Sequence, residues 1–122
     1  MATETVGDLG GGNVHKYRGA GSAALSDTTD AIDQAAGFKS FTIHLGSAPA
    51  SQENLTITLD SVGGAAYDTV LFTGAMGGIT DLLVDTADMD VTLGRGDALD
   101  FAWANSDGAE WGFEATLVEG VF

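Results

Sequence analysis

The sequence predicts an all-β protein, an antiparallel β-sandwich or jelly-roll-like barrel carrying an extended N-terminal arm. Three observations predict it. From Gly37 onward apolar and polar residues alternate with a period of two, which marks strands with one buried face. Turn formers (Gly, Asn, Asp, Ser) recur between these runs at about 8–12 residues, as in sandwiches and barrels. No stretch shows the apolar spacing of a four-turn amphipathic helix. At 122 residues the chain is sized for one core, burying about two-thirds of its unfolded surface.

Residues 1–36 are rich in Gly, Ala, Ser, Thr and Asp, with Gly10-Gly11-Gly12 and Gly19-Ala20-Gly21 as breaks. We read them as an extended arm with one short strand, Val14 to Arg18, and at most a helical turn from Ala31 to Ala36. Residues 37–122 form the sandwich domain. Its first strand has Phe41, Ile43 and Leu45 inward, its second Leu55, Ile57 and Leu59. Pro49, the only proline, lies in the loop between them. Further strands are expected at about Tyr67 to Thr73, Ile79 to Val84 and Asp88 to Leu93. Leu99, Phe101 and Trp103 then share one face. After an Asn105-Ser106-Asp107-Gly108 hairpin connection, Trp111, Phe113, Ala115 and Leu117 do the same. Core packing accounts for these aromatic residues. Trp103 and Trp111 would become a sugar-stacking platform only if exposed.

Composition removes several function classes. Lys16, Arg18, Lys39 and Arg95 face eighteen acidic residues, giving a net charge of −14, the opposite of a nucleic-acid footprint. Such charge keeps copies soluble and apart, and with aspartate outnumbering glutamate it also suits a high-salt source. Without cysteine, no disulfide or thiolate metal site holds the fold. Apolar runs such as Leu82-Leu83-Val84 fall far short of the ~20 residues of a spanning helix, so no membrane partner is expected. The first residues lack the basic and apolar segments of a secretory signal.

Few groups suggest chemistry, and we expect no enzyme. His15 and His44 have no carboxylate, serine or cysteine at triad spacing. A paired-carboxylate hydrolase would need two acids at a defined separation, which nothing here sets. Asp81, Asp85, Asp88 and Asp90 are the candidate ligands for Ca²⁺, the one cofactor the sequence suggests, although they lack the spacing and glycine of a helix-loop-helix site. A solvated loop explains them as well. Arg95-Gly96-Asp97 spells an adhesion tripeptide but sits where a tight turn is needed. The Asn54-Leu55-Thr56 sequon falls inside an amphipathic strand.

The stretch Phe38 to Asp60, then Ala66 to Phe72, Leu93 to Phe101 and Asn105 to Gly108, resembles small virion proteins of tailed bacterial viruses. The resemblance spans most of residues 38–117 and rests on strand and turn pattern. It implies a capsid decoration (cement) protein, or a head or tail component, made in the host cytoplasm and resident in the virion. The partners it implies are the major capsid protein or other virion proteins, and further copies of the chain, with a trimer suggested by analogy. On this reading Lys16, Tyr17 and Arg18 anchor the arm to an acidic partner, and removing residues 1–36 leaves the sandwich folded. A carbohydrate-binding or adhesion module is the alternative.

Overall fold

The computed structural model describes residues 4–9, 14–29, 31–32, 34–85 and 91–119. Ten strands follow in chain order: β1 Glu4–Leu9, β2 Val14–Gly21, β3 Leu25–Thr28, β4 Ala36–Leu45, β5 Asn54–Asp60, β6 Thr69–Ala75, β7 Asp81–Asp85, β8 Thr92–Leu93, β9 Ala98–Trp103 and β10 Trp111–Glu119. A 3₁₀ turn, Ala65–Tyr67, precedes β6. The strands form two antiparallel sheets, one ordered β1-β2-β10-β4-β7, the other β3-β9-β5-β6. The short β8 pairs with Ala36 and Gly37 of β4, the stretch that β7 leaves free. Among the described residues, no helix is long and apolar enough to cross a membrane.

The period-two pattern does what it predicts. Leu55 and Ile57 of β5, Leu99, Phe101 and Trp103 of β9, and Trp111, Phe113, Ala115 and Leu117 of β10 all turn inward and are buried. Phe41, Phe101 and Phe113 meet across the sheets, with ring centroids 5.2, 5.6 and 4.8 Å apart, within the range of favourable aromatic pairs. Phe38 and Phe41 are three apart, an odd spacing that should place them on opposite faces, yet both are buried. A register shift opposite Thr116/Leu117 explains it: Thr116 pairs with Ser40 but Leu117 with Phe38, so Lys39 is the extra residue of a bulge.

The largest correction concerns residues 1–36. The described strands of this segment are not an arm outside the sandwich. β2 pairs along β10 from Gly21 to Val14, β1 pairs with β2, and β3 pairs with β9, so this segment enters both sheets. The expected turn at Ala31 to Ala36 is absent from the described residues, and Ala36 already opens β4. Downstream, the described part of the expected strand at Asp88 to Leu93 is extended at Thr92–Leu93, and residues 88–90 lie outside the described residues.

Two side chains fasten the ends of the sandwich. Asn105, at φ 46°, donates through Nδ2 to the carbonyls of Ser22, Ala23 and Ala109 and accepts from the Ala109 N–H. The same turn holds the β4–β5 loop, since Ser106 N–H donates to Glu53 and Ser51 N–H to Asp107. At the other end, buried Asp97 accepts from the N–H groups of Val62 and Gly94 at 2.9 and 2.8 Å.

Candidate binding surface

The outer face of the six-stranded sheet carries an open trough of about 1160 Å³. Strand register builds it from rows four residues wide: Ala20–Gly112–His44–Asp81, then Arg18–Glu114–Thr42–Leu83. Ala20 and Gly112 keep the first row low, and the polar groups of the lining stand on either side of them, Arg18 and Glu114 toward β2, His44 and Asp81 toward β7. At one side Glu114 accepts from Lys16 Nζ at 2.9 Å and from Arg18 Nε at 2.8 Å. Those bonds, Lys16 first and Arg18 second, hold the Glu114 carboxyl below the usual glutamate range against the opposing effect of partial burial. At the other side His44 Nδ1 lies 2.6 Å from Asp81, and this hydrogen bond is the main reason the Asp81 carboxyl is lowered.

Neither partnership was visible locally. Glu114 lies about a hundred residues from Lys16, and Asp81 is thirty-seven from His44. His15 also meets a carboxylate, with Nε2 3.1 Å from Glu119. The pleat divides the three predicted anchors. Lys16 and Arg18 point outward and bind Glu114, while Tyr17 is buried in the core. Tyr17 as a partner-facing anchor is therefore corrected: alternate residues of a strand face opposite sides.

Of the calcium candidates, Asp81 is bonded to His44, and Asp85 ends β7 opposite Ser40 with its side chain exposed. Asp88 and Asp90 lie outside the described residues. Among the described residues, no three carboxylates, histidines or cysteines gather in a metal-holding group. On the second sheet Asp60 sits among like charges. Its carboxyl is raised, chiefly by Asp100, then by burial, Asp68 and Asp97.

Two motifs resolve against binding roles. Arg95-Gly96-Asp97 is a turn, with Gly96 at φ +91°, and both Asp97 oxygens already accept backbone N–H groups. A Cβ at Gly96 would lie 2.9 Å from Val62, a second reason for glycine there. Trp103 and Trp111 are buried, and Trp111 donates to the Ala23 carbonyl, so they form no stacking platform.

Among the described residues four large hydrophobic side chains are well exposed: Val62 (69%), Tyr67 (67%), Val70 (59%) and Leu83 (65%). Leu83, on β7, belongs to the trough, and the other three form a separate apolar flank in the β5–β6 connection and the start of β6. The strands β6 and β7 are edges of their sheets. Sequence alternation did not single them out, because an exposed valine on an edge strand reads like a buried one.

No protein-family model matches the chain, and no curated protein does. Among solved structures it is similar to a chain from the crystal structure of tomato aspermy virus, at TM-score 0.35 and 7% identity, covering 92% of this chain and 80% of that one. It is also similar to a chain of the infectious bursal disease virus Gx strain (TM-score 0.33, 19% identity, 98% of this chain). A chain of the VP2 subviral particle of that virus gives TM-score 0.34 and 13% identity over 96% of this chain. The chain spans 32% and 38% of those two proteins' lengths.

Proposed function

We propose that this chain is a virion structural protein, a capsid decoration subunit that binds the assembled shell through the major capsid protein and stabilises it as a homo-oligomer. One observation carries the reading. In a chain of net charge −14, three of the four exposed large apolar side chains among the described residues, Val62, Tyr67 and Val70, fall in the β5–β6 connection and the start of β6. Clustered apolar exposure marks a protein-contact surface. The resemblance of residues 38–117 to small virion proteins supports it, since those residues supply most of β4, all of β5 to β9 and most of β10, and the turns Gly94 to Asp97 and Asn105 to Gly108. The side-chain ties at both ends of the sandwich suit a rigid unit that docks without rearranging.

The test is the protein content of purified particles. Quantitative mass spectrometry should find the chain at a fixed, multi-copy ratio to the main shell protein. Recovery of the chain only outside the particle fraction would overturn the proposal.

The alternative, a carbohydrate-binding or adhesion module, has the trough in its favour, because Arg18, Thr42, His44 and Asp81 offer both donors and acceptors around it. With both tryptophans buried, tryptophan quenching is a poor readout, and calorimetric titration with glycans is the better assay.

A further inference from the structure

We infer that β6 is the self-association edge of this protein, pairing antiparallel with β6 of a second copy across a two-fold axis to join two four-stranded sheets into one. The inference deepens the proposal above and rests on it for taking the chain to act in more than one copy.

An edge strand presents unpaired N–H and C=O groups, and proteins that stay monomeric guard such edges with charge, proline, bulges or very short length. Three of the longer edges here are guarded. The sequences of β1 (Glu4, Asp8), β3 (Asp27) and β7 (Asp81, Asp85) all contain carboxylates. β6 is seven residues long, Thr-Val-Leu-Phe-Thr-Gly-Ala, with neither charge nor proline, and its one irregularity is a bulge at Leu71, between the Phe72–Ile57 and Val70–Thr58 pairs. Its surroundings continue the pattern. From Ser61 to Thr80, twenty residues contain one charged side chain, Asp68, whose carboxylate turns back to accept from the Ser61 N–H.

Charge also selects the occupant. Two copies at −14 repel wherever their acidic faces approach, and the β6 flank is where an edge can meet its own copy without opposing carboxylates. A basic foreign segment would be drawn to the acidic faces, whereas a neutral strand is matched by a second neutral strand. A two-fold antiparallel pairing is self-complementary and closed, so it ends at a dimer.

Val70 and Thr73 stand outward on β6, both exposed, paired with Thr58 and Thr56 of β5. Charges placed there reach a partner in any register without entering the core. The experiment is sedimentation of the full chain in about 0.15 M and 1 M salt, where the Debye length falls from about 8 to 3 Å. Three proteins are compared: wild type, V70E/T73E and V70K/T73K, each first shown to unfold cooperatively in urea.

The expected result is a wild-type dimer strengthened by salt, a monomer for each double variant alone, and a dimer restored when the two variants are mixed. A wild-type monomer at both salt concentrations, a trimer, or a dimer that V70E/T73E leaves intact would overturn the inference. Particle binding separates it from the proposed function. A wild-type chain that decorates particles as a monomer defeats only the β6 pairing, and a β6 dimer absent from particles defeats only the virion role.

Discussion

Replacing Asp27 should stabilise this protein. Asp27 lies on β3 opposite Phe101, turned inward between Leu25 and Thr29, and is 6% exposed. Its Oδ2 is buried without a hydrogen-bond partner, as is Nε1 of Trp103 on the neighbouring strand. A buried polar group left unsatisfied costs about 1–3 kcal/mol, and filling the site with an aliphatic side chain adds apolar burial of similar order. Steric crowding around a larger side chain takes back about 1–3 kcal/mol. Asp27→Leu is therefore expected to gain about 1–3 kcal/mol net, about 3–4 °C in Tm for each kcal/mol at this chain length. Asp27→Asn, similar in shape but still polar, should change stability less. Urea unfolding at constant m-value reads both. A loss of more than about 1 kcal/mol for Asp27→Leu would refute the reasoning, because it would show that the carboxylate is satisfied in the folded protein.

Other predictions follow from the sheets and their charges. Deleting residues 1–36 removes β1, β2 and β3 and exposes one edge each of β10 and β9, so cooperative thermal unfolding should be lost; a truncated chain that still melts sharply would contradict the topology. Glu114 has a lowered folded-state pKa, so its bonds to Lys16 and Arg18 contribute stability that is complete above the usual glutamate range and lost as pH falls through the folded value. Glu114→Gln should lower stability at neutral pH by less than about 1 kcal/mol and flatten the acid side of the stability profile; an unchanged profile would refute the pairing. Asp60 has the opposite sign. Its raised folded-state pKa means repulsion that grows as pH rises through the carboxylate range, so Asp100→Asn, which keeps an acceptor for the Thr28 hydroxyl, should raise stability at neutral pH and return the Asp60 carboxyl toward its ordinary value by NMR titration.

What could be read from sequence was what repeats locally. The alternation in Phe41 to Leu45, Leu55 to Leu59, Leu99 to Trp103 and Trp111 to Leu117 became β4, β5, β9 and β10, and the turns at Gly96 and Gly108 lie where the sequence placed them. β3 was hidden because its second inward position is Asp27, which breaks the apolar pattern. β2 was legible only as far as Arg18, since its inward positions beyond that point are Gly19 and Gly21, too small to signal burial. The Phe38 and Phe41 pair needed a bulge that is set by the partner strand. The trough was out of reach for a related reason. Its walls are made by pairing β2 with β10 and β4 with β7, and no local window joins Lys16 to Glu114 or His44 to Asp81. The exposed apolar flank, by contrast, was present as an uncharged stretch in an acidic chain, a signal of charge distribution rather than of periodicity.

The virion role is tested most directly by adding the purified chain back to particles produced without it. Saturable binding at a fixed number of copies, with a rise in the temperature at which the particles release their contents, is the result the account predicts. Particles that bind none of the chain, or bind it without any change in heat resistance, would contradict a decoration protein that stabilises its shell.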